Sequence, residues 1–89
     1  MSKMRAKLVV AKVEEFKSSD GEVIGERLNF NAVAKSSSYP ADGSDEDNTY
    51  AKFSPDATLS IYIANSALFG HFEVGQKYYL DFTPADDHL

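Results

Sequence analysis

Few side chains in this chain could carry out chemistry. It has two histidines, His71 and His88, and no cysteine, which excludes a thiol nucleophile, a disulfide framework and a zinc ribbon. His71 stands between Gly70 and Phe72, a setting typical of a histidine at the edge of a core. Two histidines without a third nitrogen or sulfur ligand make a weak zinc site. We therefore predict no catalytic residue, no metal site and no cofactor.

Motifs that mark common enzymes are missing from the sequence. It has no glycine-rich phosphate loop, no Gly-x-Ser-x-Gly elbow and no His-Glu-x-x-His pair. The 14 acidic residues are scattered, so no pair of carboxylates for hydrolysis can be selected. These observations favour a protein that is not an enzyme.

Charge is unevenly distributed along the 89 residues, whose net charge is −5. Residues 1–35 carry seven cations and five acids, whereas residues 36–89 carry two cations and nine acids. This asymmetry suits a basic face paired with an acidic loop, contact between identical subunits, or simply a solvated surface whose lysines fall on one hairpin. Overall acidity disfavours tight binding to duplex DNA, which depends on Lys and Arg neutralising phosphates.

The first third of the chain predicts a long β-hairpin over residues 4–35. Residues 4–16 are rich in Val, Leu and Ala but do not alternate strictly. A bulge near residues 9–10 would turn both apolar sets toward one core. The Asp-Gly pair at 20–21 supplies the positive φ that a tight hairpin turn needs.

The second strand of this hairpin, residues 23–35, alternates between an apolar and a polar face. Leu28 and Phe30 mark the apolar face. Glu26 has the same parity, and we expect its place near the open end of the hairpin to keep it in contact with water.

Residues 36–49 have no apolar period and predict an exposed acidic loop, which is either functional or mobile. Its acids are Asp42, Asp45, Glu46 and Asp47. Strand character resumes at 50–53, Pro55 interrupts it, and residues 58–63 alternate with Leu59, Ile61 and Ile63 pointing inward.

A helical signal is confined to residues 64–72. Asn65 can cap a short turn that Gly70 ends in a left-handed conformation, with Leu68, Phe69 and Phe72 facing the core. Residues 77–83 form the last predicted strand, and 84–89 form a short acidic tail.

These elements predict a single, mostly β domain over residues 1–89. About five strands with one short helix before the last strand suggest a small Greek-key barrel or sandwich, and the OB-fold is the best-known architecture of this kind. No apolar run is long enough for a membrane span, so we expect no membrane partner.

Polar and aromatic side chains on several strands could form a binding platform. Cations that follow a backbone, together with aromatic rings on which bases stack, are typical of proteins that bind single-stranded nucleic acid. The candidate residues are Arg5, Lys7, Arg27, Asn29, Asn31, Lys35, Tyr62 and Tyr79.

The C-terminal half resembles a known group of proteins. Residues 53–65, FSPDATLSIYIAN, and residues 72–85, FEVGQKYYLDFTPA, are similar to small, mostly uncharacterised proteins of tailed bacteriophages. Those proteins share a bend with Pro, a hydrophobic strand ending in Asn and a Gly-x-Lys-Tyr-Tyr-x-Asp-Phe-like final strand. The resemblance implies a phage origin and a compact, non-enzymatic protein in the virion or the host cytoplasm.

Three functions follow as hypotheses. The first is a phage-encoded protein-interaction module, either a small virion component or an accessory factor, which binds a phage protein, a host protein or a second copy of itself. The second is an OB-like single-stranded DNA-binding protein. The third is an inhibitor of a host defence complex that presents the acidic loop as a nucleic-acid mimic.

Overall fold

The β-hairpin at the start of the chain forms the centre of the fold. The structure is a computed structural model that describes residues 3–86. Strand β1, Arg5–Lys17, pairs antiparallel with strand β2, Val23–Ala32. Gly21 adopts a φ of 90° in the turn between them, as the Asp-Gly pair predicts.

A bulge in β1 turns the apolar residues of both its halves to the same face. The register with β2 shifts between Val10 and Lys12, which reverses the parity of the strand. Leu8 and Val10 are buried before the shift, and Val13 packs against the same core after it. The predicted bulge is therefore confirmed, slightly further along the strand.

Two short strands complete the sheet on either side of the hairpin. Strand β3, Thr58–Ile63, pairs with β2, and strand β4, Lys77–Asp81, pairs with β1. All pairs are antiparallel, and the order β3-β2-β1-β4 is that of a Greek key. The prediction of a mostly β protein is confirmed.

Closure into a barrel is not confirmed, because β3 and β4 lie at opposite edges of the four-stranded sheet. The strand predicted at 50–53 is also absent. Only an isolated bridge joins Ser44 to Lys52. Phe53 adopts a φ of 65°, and this left-handed conformation ends any extended segment.

A 3₁₀ turn at Ser66–Leu68 takes the place of the predicted helix. Asn65 caps it as predicted, since its Oδ1 accepts the N–H of the second residue after it at 3.1 Å. Phe69 and Phe72 pack against the core. Leu68 does not pack against the core and is 41% exposed. A single turn places only one of its sides against the sheet, so it cannot bury all three residues. Within residues 3–86, no helix is long and apolar enough to cross a membrane.

Glu26 is buried, contrary to the prediction that water reaches it. Only 2% of the residue is exposed. Its Oε2 accepts the N–H of Gly70 at 3.0 Å, while Oε1 has no hydrogen-bond partner among the described residues. The segment between β3 and β4 therefore crosses over this part of the sheet. Gly70 has a φ of 79°, as predicted.

The core is small and lies on one face of the sheet, here called the inner face. Its buried apolar residues are Ala6, Leu8, Val10, Leu28, Phe30 and Ile63. The molecule measures 56 × 37 × 16 Å, with a radius of gyration of 16.3 Å. A compact domain of this length has a radius of about 12 Å. The fold is thus a thin plate with a large surface for its size.

Candidate interaction surface

Most of the predicted platform lies on the face opposite the core, here called the outer face. Directly opposed residues of antiparallel strands share a face. Arg5 opposes Asp81, Lys7 opposes Tyr79, and Arg27 opposes Tyr62. The predicted residues on this face are Arg5, Lys7, Arg27, Asn29, Asn31, Tyr62 and Tyr79.

The two tyrosines of the platform do not lie side by side. Tyr62 is on β3 and Tyr79 is on β4, the two edge strands. Three strand spacings separate them, which is about 14 Å. Each ring instead stacks with an arginine: Arg5 lies 4.3 Å from the Tyr79 ring centre and Arg27 lies 5.2 Å from that of Tyr62.

Acids neutralise the cations at the β4 end of the outer face. The guanidinium of Arg5 donates to both carboxylate oxygens of Asp81, at 2.6 and 3.1 Å, which lowers the pKa of Asp81. Lys7 Nζ lies 3.4 Å from Asp47 Oδ2. The Tyr79 hydroxyl donates to Asp47 Oδ1 at 2.9 Å, and this bond raises the pKa of Tyr79.

The acidic loop is anchored in the fold through one of its acids, Asp45. Only 3% of Asp45 is exposed. Its carboxylate accepts hydrogen bonds from the backbone N–H groups of Lys35, Asp47 and Asn48, and from the Asn48 side chain. Burial raises the pKa of Asp45, but these hydrogen bonds outweigh it and leave the pKa below its ordinary value. The prediction of an exposed loop was therefore wrong for Gly43, Asp45 and Asn48, which are buried, whereas Asp42 and Glu46 are exposed.

Asn48 joins this loop to β1 where β2 has ended. It is fully buried, and its Oδ1 accepts the backbone N–H of Lys7 at 2.8 Å. Its Nδ2 donates to the carbonyl of Val33 at 2.7 Å. Thr49 continues the pairing, since it exchanges hydrogen bonds of 2.9 and 3.0 Å with the backbone of Arg5. The loop therefore satisfies backbone groups of β1 that would otherwise lack partners.

Lys35 lies outside the platform, because β2 ends at Ala32 and does not reach residue 35. Its Nζ lies 2.9 Å from Glu46 Oε2, which raises the pKa of Lys35 and lowers that of Glu46. Asp42 turns the chain locally by accepting the N–H of Ser44 at 3.1 Å. Most cations proposed for a nucleic-acid surface are thus paired with the chain's own acids.

A second aromatic group occupies the β3 end of the outer face. The rings of Phe16 and Tyr62 lie 5.8 Å apart, and both residues are exposed. The Tyr62 ring crosses directly over Gly25, so closely that a Cβ at this position would overlap it. Arg27 completes the group and forms no ion pair among the described residues.

The inner face contains a feature that no sequence pattern suggested. An apolar groove of about 370 Å³ lies beside the core, where the crossing segment does not reach. Residues of β1, β3, β4 and their extensions line it, including Met4, Ala6, Leu8, Leu59, Leu80 and Phe82. Alternation in residues 58–63 predicted that Leu59 points inward, but only the strand order brings these residues together around an open space.

The remaining predicted positions add no chemistry to these surfaces. His71 is exposed, and its backbone N–H donates to the Leu68 carbonyl at 3.4 Å. His88 and the end of the acidic tail lie outside the described residues. Between residues 3 and 86, no group of three or more His, Asp or Glu side chains is placed to hold a metal ion.

Comparisons with protein-family models, with curated proteins and with solved structures found no match for this chain. The resemblance to tailed-phage proteins therefore stays a prediction.

Proposed function

We propose that this chain is a non-enzymatic protein-interaction module that binds a phage or host protein on its open sheet. The observation that carries the proposal is the apolar groove on the inner face, where Phe82 is 49% exposed and Met4 is 43% exposed. Contiguous exposed apolar surface on a small protein usually marks an interaction site.

The thin fold supports the same proposal. A domain of this size buries only about 60–65% of its unfolded surface, so a partner that covers apolar side chains adds stability as well as function. The surfaces are suited to contact with a macromolecule.

The ion pairs between the predicted platform cations and the chain's own acids weaken the single-stranded DNA hypothesis. Arg5, Lys7 and Lys35 already contact carboxylates, so binding phosphates would require these ion pairs to break. The mimic hypothesis has a similar difficulty, because Asp45 is buried. We expect no change in fluorescence anisotropy of a single-stranded oligonucleotide at micromolar protein in about 0.15 M salt.

Sedimentation velocity with purified virion proteins tests the proposed function. We expect a faster-sedimenting complex, weakened by Phe82→Ser, which removes one wall of the groove. Val74→Ser is the matched control, since Val74 is 65% exposed but does not line the groove. Equal behaviour of the two variants would contradict binding through the groove.

A further inference from the structure

The free edge of β3 carries unpaired backbone groups. Ala32 donates its N–H to the Ala57 carbonyl at 2.9 Å, which sets the alternation of hydrogen-bonded pairs between β2 and β3. The odd-numbered residues of β3 therefore bond to β2. The N–H and C=O groups of Thr58, Ser60 and Tyr62 point away from the sheet, and no backbone hydrogen bond within residues 3–86 reaches them from outside it.

This edge has none of the features that usually protect an edge strand. The segment Thr58–Ile63 is six residues long and contains no charge, no Pro and no Gly. Natural edge strands are kept from pairing by Lys, Pro, bulges or very short length. The other edge, β4, has such protection, because it carries Lys77 and Asp81 at its ends.

We propose that β3 pairs antiparallel with β3 of a second copy of this chain, about a two-fold axis through Ser60. The inference rests on the proposed function, since it names one partner for the module. With Ser60 opposite Ser60, each Thr58 lies opposite the Tyr62 of the second copy. All outward backbone groups are then used, in about six interchain hydrogen bonds.

The side chains of β3 are self-complementary in this register. On the inner face, Leu59 of each copy lies opposite Ile61 of the other, so the exposed Ile61 (47%) gains an apolar partner. On the outer face, Thr58 and Tyr62 meet in two equivalent pairs around the central serines. A shift of one residue in the position of the axis leaves part of the backbone groups unpaired, which disfavours other registers.

Charge also favours a second copy at this edge. Each chain has a net charge of −5, so close approach of two copies is opposed at most surfaces. The β3 segment itself carries no charge, so two copies can approach along it without placing like charges directly opposite each other. The pairing makes one continuous antiparallel sheet from two thin plates, with an isologous interface that closes on itself.

Single-cysteine variants test both the contact and its register, because the natural chain has no cysteine. Opposed residues in a hydrogen-bonded antiparallel pair have Cα atoms about 5.5 Å apart, within disulfide range. We expect Ser60→Cys to form a disulfide-linked dimer under mild oxidation. Thr58→Cys is the matched control, since the two copies of residue 58 are about 13 Å apart in this register. Equal cross-linking of both variants, or cross-linking of Thr58→Cys alone, would overturn the proposed pairing.

Light scattering after size exclusion provides the second measurement. We use a protein concentration of about 100 μM, which exceeds the dissociation constant expected of a weak dimer. At this concentration we expect a mass of twice 9.8 kDa for the natural chain. Ser60→Lys places like charges opposite each other and should give the monomer mass. Asn31→Lys adds the same charge on β2, one strand away from the proposed contact, and this variant should stay dimeric.

A monomeric natural chain would overturn the dimer. It would leave the proposed function standing if the Phe82→Ser variant still lost its virion partner. Conversely, the natural chain could be a dimer while Phe82→Ser still sediments with virion proteins as the natural chain does. That result would support the β3 contact and contradict binding through the groove.

Discussion

Replacing Asn48 by alanine tests whether the acidic loop is part of the folded structure. The change leaves the backbone N–H of Lys7 and the carbonyl of Val33 without their partners at 2.8 and 2.7 Å. Each partly buried group left unsatisfied costs about 1–3 kcal/mol. We therefore expect Asn48→Ala to lower the free energy of unfolding by about 3 kcal/mol, against a total of roughly 4–13 kcal/mol for a chain of this length.

Urea unfolding followed by circular dichroism and a thermal melt measure this loss. A change of about 3 kcal/mol corresponds to a fall in Tm of roughly 12–24 °C in so small a domain. Asn31→Ala is the control, because Asn31 is an exposed asparagine on the outer face of β2, and its effect should stay within about 0.5 kcal/mol. A cost below about 1 kcal/mol for Asn48→Ala would refute the reasoning that the loop satisfies the backbone of β1.

Three further predictions follow from single contacts. The pKa of Asp45 is lower in the folded chain than in the unfolded chain, so its contribution to stability is complete above about pH 4 and declines as the pH falls through the folded pKa. Asp45→Asn should therefore flatten the acid part of the curve of stability against pH. Identical acid melts of the variant and the natural chain would contradict this. Gly25→Ala should displace the Tyr62 ring and cost about 1 kcal/mol, a cost that disappears in a Tyr62→Ala background if the two residues are coupled. Glu26→Leu leaves the N–H of Gly70 without its acceptor, so we expect a loss of about 1 kcal/mol and a fall in Tm of roughly 4–8 °C; an unchanged Tm would show that this hydrogen bond adds nothing to stability.

The sequence predicted what depends on neighbouring residues. The Asp-Gly turn, the bulge in β1 and the cap at Asn65 follow from local chemistry, and each is present. The alternation in β2 correctly placed Leu28 and Phe30 in the core. It also placed Arg27 on the opposite face from these two residues.

Features that depend on distant contacts could not be predicted. Asn48 bonds to Lys7, 41 residues away, and nothing in a polar loop distinguishes a buried asparagine from an exposed one. Glu26 becomes buried because a segment more than 35 residues further along crosses over it. Five strands and a barrel were predicted because residues 50–53 have strand composition, whereas a left-handed Phe53 prevents a strand there.

The Greek-key order has a consequence for synthesis of the chain on the ribosome. The first half of β1 pairs with β4, whose residues are translated about seventy positions later. Strand β2 is made first and pairs with one edge of this segment, but the opposite edge waits roughly 4–14 s for β4 at ordinary elongation rates. The apolar stretch of this part of β1, residues 8–11, is flanked by Lys7 and Lys12. These charges act as gatekeepers that discourage aggregation of the nascent chain until its neighbouring strand is made.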